Sequence, residues 1–259
     1  MPVELLTAVF GAVSSFLSGL LGIGGGIVLT PLLLYVPPLV GATVLPIKII
    51  TGLTIVQAIS GSTLGMLRHR SYGNVSGRLV RLMGPTGGMA SLVGALVSGA
   101  APDRLLIAIF AAFALINVPL LLRPERDPDR TVDEVHVNEK LAVAIAVVIG
   151  FFGGMVGIGA IGFLLAAMVY LLRVPVRIAI GSSLGAGMFA AVAALIGKAA
   201  TSQIDPPLAA IVVGAALVAS PIGAAVSQRT KPRVLMLLLA GVVAIAGLRM
   251  AWQAIVEMA

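Results

Sequence analysis

The chain contains no cysteine. That removes disulfide staples, thiolate nucleophiles and cysteine-ligated metals. Acid is scarce as well: ten Asp and Glu in 259 residues. These sit at Glu4, at Asp103, in and beside a polar middle segment, at Asp205 and at Glu257, and none falls inside a long apolar run. A relay of carboxylates through a bilayer, common in pumps, is therefore absent. No Walker A loop, metal-ligand cluster or nucleophile triad is present. ATP-driven transport and catalysis within the membrane are not expected on that ground. The expectation is a non-enzymatic protein without cofactor or metal.

Charge of either sign is rare. Charged residues make up 10% of the chain and apolar ones 59%. Uncharged runs recur at 5–47, 49–67, 82–102, 105–122, 141–172, 178–197, 206–228 and 234–248. Most are long enough to cross ~30 Å of hydrocarbon at ~1.5 Å per residue. The composition describes an all-α polytopic protein of the cell membrane, with the lipid bilayer as its first partner. The net charge of +7 does not point to nucleic acid, because the basic residues are scattered at the ends of the apolar runs. There they act as orientation signals for insertion. The first twenty residues lack a basic n-region, which argues against a cleaved signal peptide.

Glycine is plentiful, 31 residues, and its placement is informative. Gly19, Gly22, Gly24, Gly25 and Gly26 crowd the middle of the first uncharged run. Glycine loosens a helix and admits backbone or ligand at close range. Irregular backbone at membrane depth survives only where protein buries it or where it lines a cavity. The run therefore reads as a broken helix, a transporter device for binding near the midplane.

The pattern repeats. Phe16, Gly19, Gly22, Ile23 and Gly24 recur as Phe151, Gly154, Gly157, Ile158 and Gly159, at an offset of 135. Further on the offset is 129: Lys48/Arg177, Ile49/Ile178, Gly52/Gly181, Thr54/Ser183, Gly94/Gly223, Ala95/Ala224, Ser98/Ser227 and Arg104/Arg233. The Lys/Arg and Arg/Arg matches on one register carry the argument, since glycine and alanine coincide easily in such a composition. The change of six is attributed to a shorter loop in the second half. The expected organisation is a first transmembrane repeat over 1–122, a polar cytoplasmic linker over 123–137 and a second repeat over 138–259.

The run 141–172 exceeds the ~20 residues one crossing needs. It is either one tilted helix, which gives parallel repeats, or a hairpin of two short helices, which gives inverted ones. With Arg68, Arg70, Arg78 and Arg81 inside, the hairpin places most of the 17 Lys and Arg on the same side, as the positive-inside rule requires. The expected fold is two inverted repeats, each a broken-helix hairpin plus three transmembrane helices, with both termini outside.

Each break exposes the start of a half-helix, near Gly25 and near Ala160. Unpaired N–H groups and the positive dipole end favour an anion there, and Gly24, Gly25 and Gly26 suit a concave nest of amides. The same glycines serve close helix packing. Candidate site residues are Gly22, Gly24, Gly25, Gly26, Gly157 and Gly159 at the breaks, with Lys48 and Arg177 as symmetry mates that attract an anion or snorkel to headgroups. Thr51, Thr54, Gln57, Ser182 and Ser183 complete the set. Their hydroxyls and amide donate to an oxyanion or bond helix to helix.

The run SGLLGIGGGIVLTPLLL at 18–34, repeated as GGMVGIGAIGFLLAAM at 153–168, resembles the sulfite exporter TauE/SafE family of bacterial and archaeal permeases. The glycine motif followed by Pro31 is its most recognisable element, and the resemblance covers nearly the whole chain. The second motif departs from the first in carrying Ala160, Ile161 and Gly162. The resemblance implies a permease for a small sulfur-containing anion such as sulfite, sulfoacetate or thiosulfate. An anion channel and a non-transporting membrane subunit are the alternatives, and a homo-oligomer is left open.

Overall fold

The computed structural model describes residues 2–21, 24–122, 132, 137–157 and 161–256. Among the described residues there are ten helices and no strand: α1 (Val3–Leu21), α2 (Gly26–Leu39), α3 (Ile47–Ser71), α4 (Gly77–Ala100), α5 (Asp103–Leu121), α6 (Glu139–Val156), α7 (Ile161–Tyr170), α8 (Val176–Ala200), α9 (Pro206–Arg229) and α10 (Pro232–Val256). Seven of these (α1, α3, α4, α6, α8, α9 and α10) are long and apolar enough to cross a membrane. The fold is that of a multi-pass helical membrane protein. Large apolar side chains such as Met89, Ile196, Val218, Ile245 and Leu248 point outward and are exposed. In a bilayer that surface meets acyl chains and incurs no cost. The expected linker lies outside the described residues except at positions 132 and 137.

The repeat register is carried by the turns as well as the helices. Pro46 and Pro175 precede α3 and α8 with nearly the same backbone angles, φ −54°, ψ 140° and φ −54°, ψ 142°. A proline at that position fixes φ and gives up an N–H that the first helical turn would leave unpaired. Gly73 and Ser202 both take positive φ, 73° and 55°. Ser76 and Asp205 both cap the next helix, accepting from Leu79 N–H at 3.4 Å and Leu208 N–H at 3.0 Å. One expectation needs correcting: the six-residue change of offset is not mainly a loop deletion. Helix α7 has 10 residues where α2 has 14, and the connection after it, 171–175, is two residues shorter than 40–46. Most of the deletion is one turn of half-helix.

Every major helix contact has a counterpart when α1–α5 are exchanged with α6–α10. Helix α1 packs on α9 as α4 packs on α6, and α3 meets α9 as α8 meets α4. Small residues make the closest pairs. A Cβ on Gly19 would strike the Ser220 carbonyl oxygen, and one on Gly223 would strike that of Phe16. Likewise Gly94 faces the Phe151 carbonyl and Gly154 that of Ser91. Apolar burial drives little helix association in lipid, so contact of this kind, backbone against backbone, supplies much of the packing energy. The order of contacts makes α1 and α9 run parallel, and α4 and α6 likewise. Helices α3 and α8 run antiparallel: Thr51, near the start of α3, meets Lys198, near the end of α8, while Gly65, late in α3, faces Leu184, early in α8.

At the polar end of the bundle Arg78 on α4 and Glu139 on α6 form an ion pair at 2.6 Å, with both side chains more than half exposed. Such a pair is worth under about 1 kcal/mol, so it fixes helix ends rather than the fold.

Candidate functional site

The two breaks meet in the centre of the bundle. After α1, the chain turns at Gly24 and Gly25, both left-handed with φ 70° and 74°, and α2 starts at Gly26 with no side-chain cap. After α6, Gly157 closes the helix with φ 78°. Positive φ favours glycine at all three positions. A Cβ on Gly24 would fall against Ile161, the first residue of α7. The two hairpins therefore touch at their breaks. Gly22 and Gly159 lie outside the described residues, as does Ala160, next to which the second half-helix was expected to start.

Helix α3 lies across both breaks. The Gln57 side chain rests directly on Gly25, where a Cβ would come within 2.6 Å of its amide carbon. Gln57 is fully buried. Its Nε2 donates to Ser14 Oγ at 2.6 Å and to Ser15 Oγ at 3.2 Å, both on α1. The orientation of the amide follows from Ser14, whose own hydroxyl donates to the Phe10 carbonyl at 2.6 Å and so accepts from Gln57. Gln57 Oε1 is left without a partner among the described residues, as are the buried hydroxyls Ser18 Oγ on α1 and Thr30 Oγ1 on α2. Buried polar atoms are rarely left unpaired. One to two turns earlier on α3, Thr54 Oγ1 reaches the second break and donates to the Gly157 carbonyl at 2.6 Å. Thr51 packs its backbone and Cβ on Gly157.

Lys198 lies beside the second break, toward the Lys48 end of the bundle. It sits on α8, its side chain is 0% exposed, and its Nζ donates to Thr51 Oγ1 at 3.0 Å, Ser98 Oγ at 3.1 Å, the Met155 carbonyl at 3.3 Å and Gln203 Oε1 at 2.9 Å. All four act as acceptors. The Thr51 hydroxyl spends its proton on the Lys48 carbonyl and that of Ser98 on the Ala95 carbonyl. The Gln203 amide nitrogen donates to Ser98 and Thr201. Among the described residues no donor faces the amine, and the charge of Lys48 acts on it from one turn before Thr51. Met155 lies in the last turn of α6, where the negative end of the helix dipole adds to the attraction. Among the described residues the single carboxylate ion pair is the distant Arg78–Glu139. The Lys198 charge is therefore buried without an acidic partner.

The sequence pattern did not single out Lys198, and the structure buries it beside the second break. Of the expected site residues, Gly24, Gly25, Gly26, Thr51, Thr54, Gln57 and Gly157 come together at the centre. Lys48 and Arg177 sit at opposite ends and are tied to equivalent carbonyls: Lys48 Nζ to Gly99 O at 3.0 Å, and Arg177 to Gln228 O at 3.3 Å and Thr230 O at 3.4 Å. Ser182 accepts from the Ser76 N–H at 2.9 Å, and Ser183 donates to the Ile180 carbonyl at 3.0 Å. Both are fully buried. No group of His, Asp and Glu able to hold a metal occurs among the described residues.

A multi-pass helical bundle with two glycine-broken helices meeting over a buried cation belongs, by architecture, among membrane transporters. The chain is a member of the family described as "Sulfite exporter TauE/SafE", whose model matches residues 7–250. Its relatives carry transporter names. "Probable membrane transporter protein YunE" of Bacillus subtilis (strain 168) is 23% identical, over 97% of this chain and 98% of its own length. A "Probable membrane transporter protein" of Xylella fastidiosa (strain 9a5c) is 34% identical over 70% of this chain and 68% of its own. "Probable membrane transporter protein MJ0441" of Methanocaldococcus jannaschii is 23% identical over 95% of this chain and 94% of its own. No solved structure matches the chain.

Proposed function

We propose that the protein is a secondary transporter for a small sulfur-containing anion such as sulfite, sulfoacetate or thiosulfate, bound where the two breaks meet and carried by alternating access. The observation that carries this reading is Lys198: a fully buried amine, held by four neutral acceptors and no carboxylate, beside the second helix break. An uncompensated charge in a low-dielectric interior is expensive, and a bound anion relieves it. The uncapped start of α2 offers amide donors on the other side of the same centre, and the unpaired hydroxyls of Ser18 and Thr30 are further donors nearby. Gly22, Gly159, Lys48, Arg177, Ser182 and Ser183 belong to this reading as flanking groups. Sulfur is the family's contribution to the reading; the residues argue only for an anion.

The two halves are inverted in this reading. Helices α3 and α8 are equivalent in sequence yet antiparallel, which inversion requires and a parallel repeat does not give. Rocking of one half against the other then exchanges the side from which the breaks are reached.

Thermal stabilisation of the purified protein by sulfite, sulfoacetate, thiosulfate, sulfate, phosphate and chloride tests the site. A ligand at ~100 times its Kd stabilises by about 2.7 kcal/mol, and a selective rise with one sulfur anion is expected. Gly25→Leu puts a side chain into left-handed backbone and onto the Gln57 amide, and removes that rise while the helical content stays. An anion-dependent rise of equal size in Gly25→Leu contradicts the site.

A further inference from the structure

The two-fold mate of Lys198, at the 129-residue offset, is His69. Both lie in the last turns of their helices, α3 and α8. Both reach back to the C-terminal turn of the helix that precedes a break. Lys198 Nζ binds the Met155 carbonyl at the end of α6, and His69 Nε2 meets the Gly19 carbonyl at the end of α1, each at 3.3 Å. An amide residue stands five positions on in both, Gln203 after Lys198 and Asn74 after His69, and Asn74 reaches the imidazole through Gln228. One break is thus gripped by a lysine amine, and the other by an imidazole, a ring that can gain a proton and lose it again.

The hydrogen bonds define the state of that imidazole. Gln228, in the last turn of α9, accepts at Oε1 from Asn74 Nδ2 at 3.3 Å. Its Nε2 is therefore the atom facing His69 Nδ1, at 3.4 Å. Nδ1 accepts, and Nε2–H donates to Gly19. The ring is neutral in this arrangement. A second proton on Nδ1 would face the Gln228 amine, and the amide must turn over to offer its oxygen. Turning it over makes the Asn74 amide turn with it or let go, and the turn that carries Asn74 joins α3 to α4 with its carbonyl packed on Gly181 of α8. Protonation at one ring nitrogen is thereby converted into loosening of α9 and α8 from the α3–α4 turn.

His69 is 1% exposed, yet Gln228 connects it to solvent. Gln228 lines a cleft of about 680 Å³ together with Arg68, Tyr72, Pro221, Ile222 and Arg229. The charged groups around the ring are all basic: Arg68 and Arg70 on its own helix, Arg229 beside Gln228 on α9, and Arg177 on α8, whose charge acts on the imidazole. The described part of α1 presents no charge near it, Glu4 being at the far end. Like charges work against a second proton on the ring, and among the described residues no carboxylate offsets them.

We infer that His69 is a proton-binding site, and that the proton taken up there through the Gln228 cleft is the coupling ion of the transport cycle. This rests on the transporter reading above, and the test separates the two. Proteoliposomes holding a pH-sensitive dye are given labelled sulfite against a sulfite-free lumen, net uptake and proton movement are followed together, and anion counterflow is measured separately. The wild type moves protons with sulfite. His69→Lys, which puts an amine in place of the ring as in its mate, retains counterflow but moves protons at least about tenfold more slowly, a coupling loss within the usual range. Proton movement unchanged in His69→Lys, or absent from a wild type that takes up net sulfite, overturns the inference and leaves the anion site standing. If sulfite counterflow itself is absent, the sulfite reading fails and a second readout decides His69. Hydrogen exchange of the 72–76 turn, corrected for intrinsic rates, accelerates at low pH in the wild type and is independent of pH in His69→Gln. Equal pH dependence in both overturns the site.

Discussion

Gly94→Leu yields protein that neither melts cooperatively nor elutes as a single species from detergent. The Cβ alone would land on the Phe151 carbonyl oxygen, with the carbonyl carbon 2.8 Å away and the Met155 nitrogen at 3.2 Å. These are backbone atoms of a neighbouring helix, so no rotamer change relieves the clash. Overpacking ordinarily costs about 1–3 kcal/mol. Here two helices must separate, which also removes the reciprocal contact of Gly154 on Ser91, so the loss lies at or above the top of that range. Gly154→Leu, Gly19→Leu and Gly223→Leu fail in the same way, because they form the same pair and its two-fold mate. Gly241→Leu is the control: nothing lies within 4 Å of its Cβ position, and the expected change is under about 0.5 kcal/mol. Melting curves in one detergent compare all five. A well-folded Gly94→Leu would mean that the α4–α6 contact is not what the packing argues.

Lys198→Met abolishes useful transport for a different reason. Methionine fills nearly the same volume but brings neither charge nor donors. Thr51 Oγ1, Ser98 Oγ, the Met155 carbonyl and Gln203 Oε1 lose their shared donor, at about 1–3 kcal/mol for buried groups left unsatisfied. The anion loses its compensating charge as well. At an effective dielectric of ~20 and a separation of ~8 Å, that attraction is about 2 kcal/mol, or roughly 30-fold in affinity. The expected result is a KM for the anion raised by at least that factor, in a protein whose melting point falls only a few degrees. Lys198→Arg keeps the charge but not the compact geometry, and recovers part of the affinity. A Lys198→Met variant of normal KM would reduce Lys198 to a structural tie.

Much of this arrangement was legible in the residues themselves. The 129-residue register, anchored on Lys48/Arg177 and Arg104/Arg233, extends in the structure to Pro46/Pro175, Gly73/Ser202 and Ser76/Asp205. Gly25 as the start of a half-helix was readable because few residues other than glycine accept that backbone, and the structure begins α2 one residue later. What was not legible was depth. Lys198 and His69 stand near the ends of apolar runs, where a cation ordinarily reaches out to headgroups. Their burial comes from the tertiary arrangement, in which the broken helices stop short and leave carbonyls of Met155 and Gly19 for a long side chain to satisfy. One signal was available: both residues fall on the repeat register, and a basic residue matched by another basic residue at a helix end is more informative than either alone. The roles of Lys48 and Arg177 were left open between attraction and anchoring, and the structure shows each tied to a carbonyl at the end of its neighbouring helix.

The central claim is that a small anion occupies the meeting point of the two breaks and crosses by exchange of access. Counterflow tests it most directly. Vesicles loaded with unlabelled sulfite are placed in a trace of labelled sulfite, with no net gradient of driving ion. The account predicts saturable uptake that overshoots and is accelerated by the internal anion, because each turn of the carrier returns loaded. Linear uptake that never saturates, accompanied by conductance in planar bilayers, would contradict alternating access and make the same centre the lining of a channel.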